Sequence, residues 1–145
     1  MIRTEETIEI KKPPADVFRF LDDEANTPKW NPRAVEVKRT SPGGKAVGTK
    51  LHYVYKDPGR QGEMDGEVTG YEADKKLAMK FTDRMMEVLV AFELAPAPAG
   101  TLVHHFVEIE LKGLLARLMT PVIRSATKKQ VRTEIENLKS QLEMA

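Results

Sequence analysis

Alternating polar and apolar residues predict that a β-sheet takes up most of this chain. A first run, residues 4–11, alternates until two consecutive prolines end it, because proline cannot donate a ladder hydrogen bond. Further runs of the same kind follow, separated by clusters of glycine, proline, aspartate and serine. They span residues 35–39, 51–55, 64–71, 77–82, 88–94 and 102–111. Because the connections are short, we expect an antiparallel meander of about seven strands, the first being Ile2–Ile10.

Helical spacing of apolar residues predicts short helices directly after the first strand. Pro14 opens an amphipathic helix that ends in the acidic stretch 22–24, and a second brief helical turn follows it. The apolar face of the first helix is formed by Val17, Phe18 and Leu21. Turn-forming residues fill 26–32, so Trp30, the only tryptophan, is expected in a loop.

A long helix is predicted at the C-terminal end, after a shorter helical turn at 114–119. Thr120 has the chemistry of an N-cap, and Pro121 is favoured in a first helical turn. The apolar residues form two separate groups on roughly opposite sides of the helix. One group is Val122, Ile123 and Ala126, and the other is Val131, Ile135, Leu138 and Leu142. The two halves of the helix should therefore face different surroundings.

Composition narrows the class of protein. The 145 residues suit one domain covering 1–145, and 23 basic against 22 acidic side chains argue against a nucleic-acid binder. The absence of cysteine excludes disulfides, thiol nucleophiles and thiolate metal sites. No apolar run is long enough to span a bilayer, and residues 1–7 lack the features of a signal peptide. We therefore expect a cytoplasmic protein without integral membrane association.

Two motifs invite a functional interpretation that we do not favour. Residues 43–50 resemble a phosphate-binding loop, but lysine follows the threonine instead of preceding it, so a connection between strands is favoured. Glu63, Asp65 and Glu67 alternate with apolar residues and share one face of a strand. Paired acids are typical of hydrolases, yet a solvated outer face explains them better.

The histidines do not form a metal site by their spacing. His104 and His105 are neighbours on a strand and point to opposite faces, and His52 has no acidic or histidine neighbour at ligand spacing. His105 has the parity of the apolar residues around it and should face inward. It is either a hydrogen-bonded core residue or a candidate acid or base, since histidine titrates near neutral pH.

Basic residues accumulate near the end of the chain. No acid lies between Lys112 and Glu134, whereas Arg117, Arg124 and Lys128 fall on one helical face, with Lys129 and Arg132 nearby. This pattern indicates a solvated helix surface. Its functional alternative is attraction to an acidic partner or a lipid head group.

Several segments together resemble the START-like superfamily, specifically its bacterial polyketide cyclase/dehydrase and lipid-transport branch. They are residues 14–21 (PADVFRFL), 28–32 (PKWNP), 47–49 (VGT), 100–102 (GTL) and 138–139 (LK). The resemblance covers nearly the whole chain. It implies the α+β helix-grip fold, in which a curved sheet wraps around the long C-terminal helix and two short helices follow the first strand.

The resemblance also implies a ligand cavity between the sheet and the final helix. Strand parity and the helix pattern then nominate walls, although each residue could equally belong to a filled core. The nominated residues are Trp30, Leu51, Tyr53, Tyr55, Met64, Val68, Phe81, Val88, Val90, Phe92, His105, Val107, Met119, Val122, Ile123 and Ala126. Tyrosine and histidine supply the few polar groups, with His105 and Tyr53 as candidate catalytic residues.

Three functions fit this sequence. The favoured one is binding or carrying a small hydrophobic or aromatic molecule, such as a lipid or polyketide, without a metal or other cofactor. The second is a polyketide aromatase/cyclase, in which His105 or a tyrosine moves protons during ring closure. The third is a module that binds a partner or membrane surface through the basic helix face, as some relatives do with quinones or ribosomes.

Overall fold

The computed structural model describes residues 1–144, and it contains the predicted antiparallel sheet of seven strands. Short helices follow the first strand, and the chain ends in a long helix. The strands are β1 Ile2–Ile10, β2 Ala34–Arg39, β3 Lys50–Asp57, β4 Arg60–Glu72, β5 Lys76–Thr82, β6 Met86–Ala97 and β7 Gly100–Leu111. The helices are α1 Pro14–Asp22, α2 Thr27–Trp30, α3 Leu114–Leu118 and α4 Thr120–Met144, with a 3-10 turn at Glu24–Asn26.

The sheet order is β1-β7-β6-β5-β4-β3-β2, and every neighbouring pair is antiparallel. Strand β6 extends further than the sequence predicts and includes Pro96, which pairs with Thr101 of β7. The proline is tolerated because β5 pairs with β6 only as far as Glu93, so no ladder partner is lost on that side. Residues 43–50, which resembled a phosphate loop, connect β2 to β3 and enter a strand, not a helix.

Trp30 is the last residue of α2, so its predicted place in a loop is wrong. Proline in the first turn of α2 is compatible with a helix because the missing amide hydrogen would have had no intrahelical acceptor. The backbone amide of Asn31 donates to the carbonyl of Thr27 and closes this single turn. The indole is 4% exposed and packs edge-on against Phe92, with ring centroids 5.2 Å apart.

Thr120 does not cap α4 as the sequence predicted. Its hydroxyl donates to the carbonyl of Arg117 at 2.6 Å, and the amide of Ile123 donates to the carbonyl of Met119. The hydroxyl is therefore used by the end of α3, and α4 follows α3 after one intervening residue. Within residues 1–144, none of the helices is both long and apolar enough to cross a bilayer.

The long helix covers the sheet unevenly. Its C-terminal half is sealed to the core by Ile135, Leu138 and Leu142, which join one buried cluster with α1, and Val131 joins a second cluster with β1 and β7. The N-terminal half has few large side chains directed at the sheet. This difference between the halves leaves a space between the N-terminal half of α4 and the sheet.

Candidate ligand cavity

A cavity of about 780 Å³ lies between the inner face of the sheet and the N-terminal half of α4. Its floor is apolar and is built mainly from the central strands β5, β6 and β7. The floor residues are Leu77, Met79, Phe81, Met86, Val88, Val90, Phe92, Val107 and Ile109. Val88 and Val90 are only half-buried although β6 is a central strand. Close-packed cores leave few voids larger than a water molecule, so this is a preformed cavity and not a loosely filled core.

Short side chains on α4 explain why the space stays open. The short side chains are Ala126 and Thr127, which line the cavity beside Ile123 and Gln130, whereas the C-terminal half of the helix presents Ile135, Leu138 and Leu142 to the core. The hydroxyl of Thr127 also turns back to the carbonyl of Ile123, at 2.7 Å, and does not reach toward the sheet.

Glycines on β4 let two aromatic rings lie flat in the wall. A side chain at Gly62 would collide with the Tyr55 ring, and one at Gly66 would collide with the Phe81 ring. Tyr53 contacts both neighbouring rings, with centroids 5.5 Å from Tyr55 and 5.2 Å from Phe81. At these two positions the inner face of β4 has no side chain, which leaves room for the aromatic residues of β3 and β5 in the wall.

Polar side chains gather at one end of the cavity, where α2 meets β2 and β3. Asn31 holds this end together: its Nδ2 donates to the Tyr53 hydroxyl at 3.2 Å, and its Oδ1 accepts the Arg33 amide at 3.0 Å. The Arg33 guanidinium donates to Gln130 Oε1 at 3.1 Å and pairs with Asp57 at 2.6 Å. The segment 30–33 is thereby fixed between the sheet and α4.

Two donors in the cavity wall have no acceptor among residues 1–144. They are the indole Nε1 of Trp30 and the Nε of Arg33, both buried. A buried donor without a partner costs about 1–3 kcal/mol. A ligand oxygen placed at this end of the cavity would remove that cost.

Tyr53 adds a third donor to the same end. Burial raises the pKa of Tyr53 to about 12, although the hydrogen bond from Asn31 acts in the opposite direction. The phenol is therefore protonated at neutral pH. Because its oxygen accepts from Asn31, its own proton can be donated to a ligand.

A buried proton-sharing pair, His105 and Glu134, adjoins the cavity. His105 Nδ1 lies 3.0 Å from the Ala91 carbonyl, and Nε2 lies 2.9 Å from Glu134 Oε1. The imidazole stacks on Phe92, with centroids 4.1 Å apart. Since a carbonyl only accepts, Nδ1 carries a proton, and one further proton is shared between Nε2 and the carboxylate.

Glu134, not His105, is the member of this pair that lines the cavity. His105 faces inward as predicted but is fully buried behind Phe92 and Glu134. Glu134 is not among the residues nominated from the sequence, although a signal for it was present. It lies three residues after Val131 and four before Leu138, so it shares the buried face of α4.

The structure places most of the nominated wall residues around the cavity. These are Trp30, Tyr53, Tyr55, Met64, Phe81, Val88, Val90, Phe92, Val107, Ile123 and Ala126. Ala126 lies at the rim, since it is exposed as well as lining the cavity. Their contact with a ligand stays a prediction.

Five nominated residues do not line the cavity, and His105 is one of them. Leu51 and Val68 are buried in the main core cluster, because parity identifies the inner face of a strand but not which part of that face borders the cavity. Met119 and Val122 are 47% and 61% exposed. Val122 precedes Ile123 by one residue, and the 100° step between them is enough to turn it to the surface.

The other histidines lie on the outer face of the sheet. His52 has acidic neighbours after all: Nε2 is 3.0 Å from Glu63 and Nδ1 is 3.3 Å from Asp65. Spacing along the sequence could not reveal them, because they come from the adjacent strand. The exposed positions of Glu63 and Asp65 confirm the solvated outer face. Within residues 1–144 no cluster of three or more potential ligands could hold a metal ion.

A curved antiparallel sheet that closes on a long C-terminal helix, with a cavity between them, defines the helix-grip fold of START-like proteins. Residues 1–143 match the family described as polyketide cyclase/dehydrase and lipid transport, and the chain belongs to that family. A search of the curated proteins finds no match to this sequence.

Solved structures agree with this fold at low sequence identity. A START superfamily protein from Mycobacterium smegmatis is 15% identical with a TM-score of 0.80, and 99% of each chain is covered. Protein MLL2253 from Mesorhizobium loti is 21% identical with a TM-score of 0.75, over 99% of this chain and 98% of that one. StfQ, a di-domain ARO/CYC of steffimycin biosynthesis, is 10% identical with a TM-score of 0.79, over 99% of this chain and 51% of that one.

Proposed function

We propose that this protein, as one domain, binds a small and largely apolar molecule that carries a hydrogen-bond acceptor at one end. The observation that carries the proposal is the pairing of an apolar cavity of about 780 Å³ with buried, unpartnered donors on Trp30 and Arg33. Ligand pockets of about 300–1,000 Å³ with a few placed polar groups are typical of small-molecule sites. The family's description, which includes lipid transport, supports the same function.

The ligand's orientation follows from this arrangement. Its apolar body would lie on the floor formed by β5, β6 and β7, and its carbonyl, carboxylate or similar oxygen would face the end near Asn31. There the Trp30 indole, the Arg33 Nε and the Tyr53 hydroxyl would donate to it. The polar end selects for an acceptor, and the apolar floor supplies most of the affinity.

A matched pair of probes tests this function. 2-Acetylnaphthalene and 2-ethylnaphthalene have nearly the same shape, but only the ketone has an acceptor. We expect calorimetry to show one ketone bound per chain, and about three- to tenfold tighter binding than for the hydrocarbon, the value of one hydrogen bond. Absence of saturable binding by either probe would contradict the proposal.

Substitutions at the polar end give the internal control. Trp30→Phe keeps a ring against Phe92 but removes the indole N–H, and Tyr53→Phe removes the phenolic donor. Both substitutions should reduce the difference in affinity between the ketone and the hydrocarbon, and the hydrocarbon should still bind. If the difference is unchanged in both variants, the acceptor does not lie at this end of the cavity.

A second candidate function is ring closure of a poly-β-ketone, and the Glu134–His105 pair is the observation that favours it. Glu134 lines the cavity, is 4% exposed and shares a proton with His105. Aldol closure requires a group in contact with the substrate that can accept and return a proton, and Glu134 has this position. Glu134→Gln should then keep ketone binding within about twofold while abolishing turnover of a poly-β-ketone. Turnover that survives in Glu134→Gln would exclude this role.

A further inference from the structure

Five apolar side chains stand exposed on α3 and at the start of α4. Leu114 and Leu115 are each 78% exposed, Leu118 is 69%, Val122 is 61% and Met119 is 47%. We call them the α3 patch. Single exposed apolar residues are ordinary, but a contiguous group marks an interaction surface.

The patch is not required to hold α3 on the protein. Ala116 is the buried residue of α3, 3% exposed, and it packs in the cluster that contains Ile2, Leu111 and Val131. A small anchor on one side leaves the leucines of this short helix pointing away from the fold. Their exposure therefore has no structural purpose within the chain itself.

Basic residues lie among and directly after the patch residues along the chain. Residues 111–133 contain six basic side chains and no acid, although the whole chain has a net charge of only +1. Arg132 is paired with Glu6, and Lys112 donates to the carbonyl of Asp83. The other four, Arg117, Arg124, Lys128 and Lys129, have no carboxylate within ion-pair distance among residues 1–144.

We propose that the α3 patch and its unpaired basic residues dock on the surface of an anionic lipid bilayer. Exposed leucines flanked by arginine and lysine match the two parts of such a surface, an apolar interior and negative head groups. A second copy of this chain is a poorer occupant, because a symmetric contact would bring Arg117, Arg124 and Lys128 against their own counterparts. Charge complementarity thus selects an anionic surface.

Docking would bring the cavity close to the bilayer. The exposed Val122 is followed by Ile123, which lines the cavity, and Lys129 also borders it. The bilayer would then lie against the same half of α4 that walls the ligand site. The docking surface itself is independent of the proposed ligand and can be tested without one.

Vesicle flotation tests the proposal. The wild-type protein should float with vesicles of mixed phosphatidylcholine and phosphatidylglycerol, float much less with phosphatidylcholine alone, and be released as salt is raised. Leu115→Ser/Leu118→Ser should weaken binding by about tenfold or more, and Arg117→Gln/Arg124→Gln should weaken it while reducing its salt dependence. Because the chain lacks cysteine, Leu118→Cys carrying a polarity-sensitive dye should report an apolar environment on the mixed vesicles.

Matched variants elsewhere on the surface serve as controls. Leu102→Ser replaces a leucine that is 42% exposed on β7, and Lys29→Gln/Lys75→Gln removes two exposed charges. Both should float as the wild type does, and all variants should keep wild-type circular dichroism and naphthyl ketone binding. A wild-type protein that does not float, or a leucine double variant that floats normally, would overturn the proposal. A wild type that instead forms concentration-dependent dimers and fails to float, with the dimers absent in Leu115→Ser/Leu118→Ser, would assign the patch to contact with a second copy of the chain.

Discussion

The imidazole Nε2 of His105 and the carboxylate Oε1 of Glu134 lie 2.9 Å apart in the interior, at 0% and 4% exposure. The opposite carboxylate oxygen accepts from Gln130 Nε2 at 2.9 Å, and His105 Nδ1 donates to Ala91. Every polar atom of the pair therefore has a partner. A glutamine at 134 could reproduce these contacts with a neutral imidazole, its amide nitrogen donating to Nε2 and its oxygen accepting from Gln130.

We predict that Glu134→Gln keeps the free energy of unfolding, measured by denaturant titration, within about 1 kcal/mol of the wild-type value. Glu134→Leu should lower this free energy by about 2–5 kcal/mol. The leucine leaves His105 Nε2 buried without a partner, at about 1–3 kcal/mol, and removes the acceptor of the half-buried Gln130 amide. The two substitutions have similar volumes, so the comparison isolates the hydrogen bonds. If both substitutions destabilise the protein equally, the stabilisation by the His105–Glu134 pair comes from the charge of the carboxylate and not from its hydrogen bonds.

Ala126 lies on the rim of the cavity, where a large side chain would enter the open space. Ala126→Trp should keep the free energy of unfolding within about 1 kcal/mol of the wild-type value, because it fills a cavity and does not overpack a core. Affinity for 2-acetylnaphthalene should fall by about tenfold or more. Ser125→Trp, at an exposed neighbouring position outside the cavity wall, is the control and should bind normally. Undiminished binding by Ala126→Trp would place the ligand elsewhere.

Gly66 makes room for the Phe81 ring, which forms part of the cavity wall. Gly66→Ala should push this ring into the cavity, weaken probe binding and cost about 1–3 kcal/mol of unfolding free energy. Gly44→Ala is a suitable control, since an added Cβ there meets nothing within 4 Å. If Gly66→Ala and Gly44→Ala show the same probe affinity and the same free energy of unfolding, the position of the Phe81 ring does not depend on Gly66.

The sheet and the long helix could be predicted because their signals are local. Alternation and turn residues located all seven strands, and the two apolar groups of the last helix indicated that its halves differ. The polar end of the cavity could not be predicted in the same way. It is built by cross-chain contacts, such as Asn31 to Tyr53 and Arg33 to Gln130, that no spacing along the sequence reveals.

Helix faces were predicted less well than strand faces. A side chain on a strand points to one of only two faces of the sheet, so most inward-facing residues of β3 to β7 were predicted correctly. A helix turns 100° per residue, and the direction of its axis is set by tertiary packing. Val122 and Met119 were therefore placed toward the cavity, although both side chains are exposed at the surface.

His52 offers a test of the outer face through its titration. The pKa of His52 is raised, chiefly by its hydrogen bond to Glu63 and then by that to Asp65. A histidine whose folded pKa exceeds the unfolded value, about 6.5, stabilises the fold fully below that value. This contribution is lost as the pH rises through the folded pKa.

We therefore predict that His52→Gln destabilises the protein more in acidic than in alkaline buffer, by less than about 1 kcal/mol because partly exposed pairs are screened. NMR titration of the wild type should give His52 a pKa above that of histidine in an unfolded peptide. Glu63→Gln, which removes the stronger partner and keeps the side-chain shape, should bring this pKa back toward the peptide value. A pKa of His52 that does not respond to Glu63→Gln would show that the cross-strand hydrogen bond does not cause the shift.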